Sequence, residues 1–258
     1  MQDCQIGELV ASHAPIASRN AVAYSVLFGG YDRPPHAVHT AGIDYFIFTD
    51  RPDSVSAPWR AIRVNANKYG PQRTGRYFKC LGHRLFPMAD RSMYFDASFM
   101  FVSPLKRLLN DHAGVKFGLF RHLNHSDISA EAESCIRQSK DDPNTLMQQV
   151  SRYRKDGLPE PSECYATGVL IRDLSDPAVH KVNEMWCQEI VQGSVRDQIS
   201  LPYVFWKQGF RPSAIQGDVF YNKYLVPRPH TNAPLLKRVK RSIALRLYLM
   251  GILKRTSK

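Results

Sequence analysis

An α/β fold built on a mostly parallel sheet is what this sequence predicts, and three observations predict it. Runs of consecutive apolar residues recur along the chain, as strands covered on both faces require. Helix-periodic or loop material separates one run from the next, the rhythm of βαβ units. Several runs stop abruptly at glycine, hydroxyl or carboxylate residues, the groups expected where such a sheet meets a ligand, beyond the C-terminal ends of its strands.

The elements follow in order. Residues 1–20 are polar and mixed and read as an extension, and a single α/β domain is expected over 21–232. Residues 21–28 (AVAYSVLF) form the first buried strand, broken by Gly29-Gly30-Tyr31-Asp32. The two glycines let backbone approach a ligand, or make an ordinary turn, and Tyr31 with Asp32 suits stacking on a base and hydrogen bonding to it. The second strand, residues 45–48 (YFIF), ends in Thr49-Asp50, and residues 59–64 alternate as a third.

The central stretch begins at Arg73. At 100° per residue, Arg73, Arg76, Lys79 and His83 share one side of a helix and Tyr77, Phe78, Leu81 and Leu85 another, which predicts a basic stripe directed away from the buried face. Pro87 closes the helix. The strand Met93-Tyr94-Phe95 then delivers Asp96, with Ala97 and the hydroxyl of Ser98 behind it. Cations on one helical face and a hard oxygen ligand at the next strand end suit a diphosphate carrying Mg²⁺ or Mn²⁺. A solvated helix face and a turn-initiating aspartate are the plainer reading of the same residues.

A helix starts at Pro104, and a strand over 115–120 leads into a loop with His122-x-x-His125. That spacing suits a metal, but no third ligand follows nearby, so the loop reads as polar lining. Ser129 is the expected N-cap of a helix with Glu131 and Glu133 in its first turn. Helical pattern over 148–155 stops at Gly157. Residues 165–172 (YATGVLIR) are the clearest later strand, whose Thr167-Gly168 entry leaves room for a ligand or marks a bulge. An amphipathic helix over 177–191 follows, with Trp186 in the core. Arg196-Asp197-Gln198 then opens a helix, where a buried Asp-Gln positions a sugar or Asp197 serves as a plain first-turn acid.

Composition narrows the function. Of the formal +12, eight basic residues lie at 237–258 without an acid, leaving +4 for the rest, so the basicity is a tail over 233–258. Its basic and apolar alternation, with Val239, Ile243, Leu247 and Met250 aligned, reads as a helix on an anionic membrane surface or a docked terminal helix. Cys4, Cys80, Cys135, Cys164 and Cys187 are odd in number and widely spaced, which argues against a disulfide framework or structural zinc and for a reducing, cytoplasmic setting. No run reaches the length of a membrane span.

Taken together, residues 26–32, 45–50, the 73/76/79/83 set with Phe86-Pro87, Tyr94-Phe95-Asp96, Glu131-Ala132-Glu133, Ala166-Thr167-Gly168 and Arg196-Asp197-Gln198 resemble, over roughly 20–215, the glycosyltransferase-like family called domain of unknown function 616. It includes plant turgor-regulation and seed-mucilage hexosyltransferase-like proteins and bacterial relatives. More distantly the order is similar to family 8 glycosyltransferases of GT-A fold. The resemblance implies a UDP- or GDP-sugar donor and a glycan or glycolipid acceptor. On the donor side it implies Gly29, Gly30, Tyr31, Asp32, Thr49, Asp50, Arg73, Arg76, Lys79, Asp96, Ala97, Ser98, Thr167 and Gly168. It implies Asp197 and Gln198 beside the anomeric carbon, His122, Glu131 and Glu133 toward the acceptor, and Asp96 with His230 as metal ligands. Ser98 stands where an Asp-x-Asp motif has its second acid, which leaves the Mn²⁺ or Mg²⁺ dependence open. Family 8 chemistry would retain the anomeric configuration.

Two other functions compete. Ser98 also fits a non-catalytic nucleotide-sugar-binding module. A nucleic-acid-binding role for the tail is disfavoured by the near-neutral body and the lack of a recognised binding motif.

Overall fold

The computed structural model describes residues 15–220 and 222–228, together with positions 239, 242, 243, 246 and 247; His230 and most of the tail lie outside the described residues. The strands are β1 (Ala21–Leu27), β2 (Ile43–Thr49), β3 (Arg60–Arg63), β4 (Arg91–Phe95), β5 (Phe99–Phe101), β6 (Phe117–Arg121), β7 (Tyr165–Asp173), β8 (Ser213–Ile215) and β9 (Leu225–Pro227). The α-helices are α1 (Gly70–Cys80), α2 (Gly82–Leu85), α3 (Leu105–Asp111), α4 (Ile128–Arg137), α5 (Pro143–Lys155), α6 (Pro177–Gln192) and α7 (Asp197–Lys207).

Seven strands form one sheet in the order β3-β2-β1-β4-β7-β6-β8. β1, β2, β3 and β4 run parallel, β7 runs against both β4 and β6, and β8 is parallel to β6. Apolar residues on alternate positions of β1 enter opposite cores: Val22 and Tyr24 pack with α1 and α6, Ala23 and Leu27 with the β5 and α3 side. Burial on both faces is the reason the run carries no polar alternation.

Two expectations change here. The helix of the central stretch breaks at Leu81 into α1 and α2, and α1 does not turn its cations to solvent. Its basic side packs on α6 and the start of α7, so Lys79 is 1% exposed. The N-cap of α4 is Asp127, whose carboxylate accepts from the backbone N–H of Ser129 at 2.8 Å, two residues before the Ser129 cap that the sequence suggests.

The antiparallel strand β7 positions the site. It brings its N-terminal residues, rather than its C-terminal ones, to the edge where β1, β2, β4 and β6 end. Residues 166–168 therefore meet Asp96 across the sheet, with the Asp96 N–H donating to Gly168 O at 2.8 Å.

Candidate active site

At this edge Lys79, Asp96, Thr167 and Asp197 come together. Asp197, the first residue of α7, is 2% exposed. The Lys79 ammonium donates to its Oδ2, Thr167 Oγ1 donates to the same oxygen at 3.0 Å, and Arg76 Nε stands 3.6 Å away. Burial pushes the Asp197 carboxyl up, but Arg76, Lys79 and Arg196 outweigh it and hold the group well below the usual carboxylate range. The ion is thus kept charged in the interior by paired cations, the condition under which buried charge persists.

Lys79 is held from behind. The buried guanidinium of Arg172, on β7, donates to the carbonyls of Lys79 at 3.0 Å and Cys80 at 2.9 Å, and the Tyr24 hydroxyl also donates to Lys79 O at 2.8 Å. These bonds satisfy the end of α1. The Lys79 ammonium also lies 5.0 Å from the Tyr94 ring centroid.

Asp96 differs from Asp197 in exposure, its side chain being 38% accessible. Its Oδ1 accepts from the Tyr94 hydroxyl at 2.8 Å and lies 3.8 Å from Lys79 Nζ. Its other oxygen faces Gly168, where an added Cβ would stand 3.0 Å from Oδ2 and 2.9 Å from the Phe99 ring. Only a residue without a side chain lets the two strands approach this closely. Ala97 is buried and Ser98 half-buried in the loop that follows. Arg228 clasps that loop, its Nη2 donating to Ala97 O at 2.8 Å, Arg33 O at 2.8 Å and Pro34 O at 2.9 Å.

The other expected donor residues are arranged unequally. Gly29 donates its N–H to Asp50 Oδ2 at 2.9 Å, tying the end of β1 to the end of β2. Gly30 has φ +64°, the left-handed region that favours glycine. Tyr31 is exposed beside this turn, and Asp32 is half-buried. Thr49 is fully buried, and its hydroxyl accepts from Arg51 N at 3.0 Å, a turn-forming role.

Arg73 departs from its expected direction. Its guanidinium donates to the carbonyls of Ile190, Val191 (3.1 Å) and Gly193 (3.3 Å), capping α6. His83 bonds Glu184 at 2.8 Å on the same helix. The four cations therefore do not act as one stripe: Arg76 and Lys79 reach the site, while Arg73 and His83 fasten α6. Gln198 donates from Nε2 to Tyr165 O at 3.4 Å, next to the site.

Of the residues expected toward the acceptor, Glu131 is buried against His122 and His125, and nitrogen and oxygen atoms of these three residues lie within 4.8 Å of one another. The third group that the sequence did not supply near the two histidines thus comes from α4. Glu133 does not join them. It lies about 200° further round the helix, exposed and paired with Arg137 at 3.6 Å. Arg172 and Arg228 were not legible as site residues, because each acts on partners far away in sequence; Tyr94 reads as one more apolar residue of a buried strand, although its hydroxyl serves Asp96 only two residues on.

Comparison with known proteins places this geometry. Probable hexosyltransferase MUCI70 of Arabidopsis thaliana is 28% identical over 158 residues, 57% of this chain and 27% of that protein, so the chain spans about a quarter of its relative. Among solved structures, the apo bifunctional glycosyltransferase WbbM superposes with TM-score 0.50 at 11% identity, over 91% of this chain and 45% of that one. Apo mouse xyloside xylosyltransferase 1 gives 0.45 at 10% identity, over 92% and 94%. At such identity the likeness to WbbM concerns the fold, which is GT-A-like. The model of the TOD1/MUCI70 glycosyltransferase-like domain matches residues 47–223, more than half of the chain and both carboxylates of the site, and the chain belongs to that family.

Proposed function

We propose that this protein transfers a hexose from a nucleotide-sugar donor to a glycan or glycolipid acceptor, in the synthesis of a surface polysaccharide. The observation that carries the reading is the meeting of Asp96, half-open at a strand end, with the buried Lys79–Asp197 pair and the small residues Thr167 and Gly168. Breaking a bond from sugar to phosphate leaves charge on the nucleoside diphosphate, which cations or a metal must meet. Arg76 and Lys79 supply fixed positive charge behind the carboxylates. Asp197 and Gln198 flank the place of the anomeric carbon, and the turn at 29–32 takes the base.

The Asp96 carboxylate and the Ser98 hydroxyl are hard oxygen donors, which suits Mg²⁺ or Mn²⁺ completed by diphosphate and water. Such an ion would neutralise the leaving diphosphate. Because the second acid is absent, the metal is expected to bind with the donor rather than before it.

A thermal-shift panel of UDP- and GDP-hexoses, with and without Mn²⁺, tests the reading. A ligand at 100 times its dissociation constant adds about 2.7 kcal/mol of stability. No shift with any of them removes the donor site. A shift without transfer or hydrolysis leaves the non-catalytic binding module. The tail supports a peripheral association with anionic membrane from the cytoplasmic side, since Val239 and Ile243 are exposed amid its basic residues. Co-sedimentation with anionic and neutral vesicles checks it.

A further inference from the structure

The sheet edge that carries Asp96 bears a second cluster of ionisable groups. β6 is parallel to β4, both being antiparallel to β7, so the loop 122–127 leaves the sheet on the same edge as Asp96. Its first N–H, that of His122, donates to Cys164 O at 2.9 Å, three residues before Thr167. From the first turn of α4 the buried Glu131 turns its carboxylate onto this loop. His125 Nδ1 lies 2.6 Å from Glu131 Oε2, His122 Nε2 stands 3.7 Å from the same oxygen, and Cys135 Sγ donates to Oε1 at 3.3 Å. Arg196, the neighbour of Asp197, is among the charges that act on the Cys135 thiol.

The hydrogen bonds assign the protons. His122 Nδ1 accepts the backbone N–H groups of Asn124 at 3.3 Å and His125 at 3.0 Å, so its neutral ring carries its proton on Nε2, facing Glu131. His125 is the reverse. The carboxylate at its Nδ1 places the proton there and leaves the lone pair on Nε2, which has no partner among the described residues. The two rings stack with centroids 4.7 Å apart and 9° between their planes, which fixes the orientation of His125. For His122 Nε2 to ligate a metal, its proton would have to move to Nδ1, where two backbone N–H groups already point. The arrangement suits a proton acceptor better than a cation.

We propose that His125 is the base that takes the proton of the acceptor hydroxyl, with Glu131 and His122 as positioning residues; the inference rests on the glycosyl transfer proposed above. His125 Nε2 removes the proton, and the electron pair of the acceptor oxygen forms the bond to the anomeric carbon. The bond from that carbon to the phosphate oxygen breaks, its electrons leaving on the nucleoside diphosphate. Attack comes from the side opposite the leaving group, so the configuration inverts. Glu131 stabilises the imidazolium that forms, the role a carboxylate has behind a histidine base. The ionisable groups around the pair include Glu131, Cys135 and Lys140 from α4 and its end, Asp127 before α4 with Arg154 of α5, Cys164 before β7, and Arg196 before α7.

The test uses the full chain. Long-range ¹⁵N–¹³C NMR on imidazole-labelled protein is expected to show His125 as the Nδ1–H tautomer and His122 as Nε2–H; the opposite pair of tautomers overturns the proposal without reference to any donor. Release of nucleoside diphosphate is then measured from whichever nucleotide-hexose shifts the melting temperature, with p-nitrophenyl hexosides or water as acceptor, between pH 5.5 and 9. His125→Gln is expected to keep the donor-induced shift and to lose about 100- to 10,000-fold in kcat. Imidazole is expected to restore part of the rate to His125→Ala, and Glu131→Gln to lower kcat with KM for donor unchanged. A fully active His125→Gln that binds donor, or products of retained configuration, overturns this inference alone. Stoichiometric Zn²⁺ or Mn²⁺ binding that Glu131→Gln abolishes makes the cluster a metal centre and overturns it too. No release from a bound donor with any acceptor overturns it in favour of a non-catalytic module. Absence of any donor-induced shift in the unaltered protein overturns the proposed function as well.

Discussion

Lys79 and Asp197, 118 positions apart in the chain, close an ion pair in which both side chains are almost sealed from solvent. One stands on the last turn of α1 and the other on the first turn of α7, so the pair joins two helices as well as two charges. Replacing Lys79 by Met or Asp197 by Asn leaves a buried charge short of its partner, and each substitution is expected to cost about 3–5 kcal/mol. The double variant Lys79→Met/Asp197→Asn is expected to cost less than the sum. Urea denaturation of the four proteins measures this, and additive losses would show that the two residues act independently.

Gly168→Ala places a methyl group 3.0 Å from Asp96 Oδ2 and 2.9 Å from the Phe99 ring. Crowding of this kind costs about 1–3 kcal/mol. Because the crowded atom belongs to the accessible carboxylate, donor affinity is expected to fall along with the melting temperature. Titration of the variant with the bound nucleotide-hexose checks it, and unchanged affinity would place Asp96 away from the donor.

Arg73→Ala removes three contacts with the C-terminal carbonyls of α6. Hydrogen bonds from a charged donor contribute about 1.5–3 kcal/mol, so stability is expected to drop by that order while donor affinity holds. Denaturant midpoints and donor titration together make the measurement. A weaker donor with intact stability would return Arg73 to the diphosphate.

Acid should weaken the fold in two stages. Burial lowers the pKa of His83, opposed by Glu184, and likewise that of His122, opposed by Glu131. Each binds a proton less readily folded than unfolded, so its contribution is present above about pH 6.5 and is lost as the pH falls through the folded value. Asp197 and Asp127 are held well below the usual carboxylate range, burial being outweighed by cations around the first and by Ser162, Arg154 and Ser129 around the second. Their contribution is present above about pH 4 and is lost below it. The urea midpoint is expected to be flat from pH 8 to 7, to decline toward 5.5 and to fall again below 4. A midpoint that rises between pH 7 and 5.5 would contradict the sign assigned to the histidines.

Much of the sheet was legible because β1, β2, β4 and β7 are buried on both faces, and double burial writes a continuous apolar run. The direction of β7 was not legible, since a strand of this composition pairs either way and only its neighbours decide. β5, β8 and β9 have three residues each, too few for a period. The site divides along the same line. Asp96 and Asp197 were found at a strand end and a helix start, which are local signals. The direction taken by Arg73 is not legible, because its partners, the carbonyls at 190–193, lie more than a hundred residues away. His122-x-x-His125 was visible, but its link to Glu131 required the loop to fold back on α4, which no spacing announces.

Arg228 gives the fold a further property. Its guanidinium knots the backbone at 33–34 to the backbone at 97, one residue past the accessible carboxylate. Residue 228 itself is thereby fixed at the rim of the cleft. A pull on the 33–34 backbone is therefore also a pull on the loop behind the open acid, so the two segments are expected to shift together.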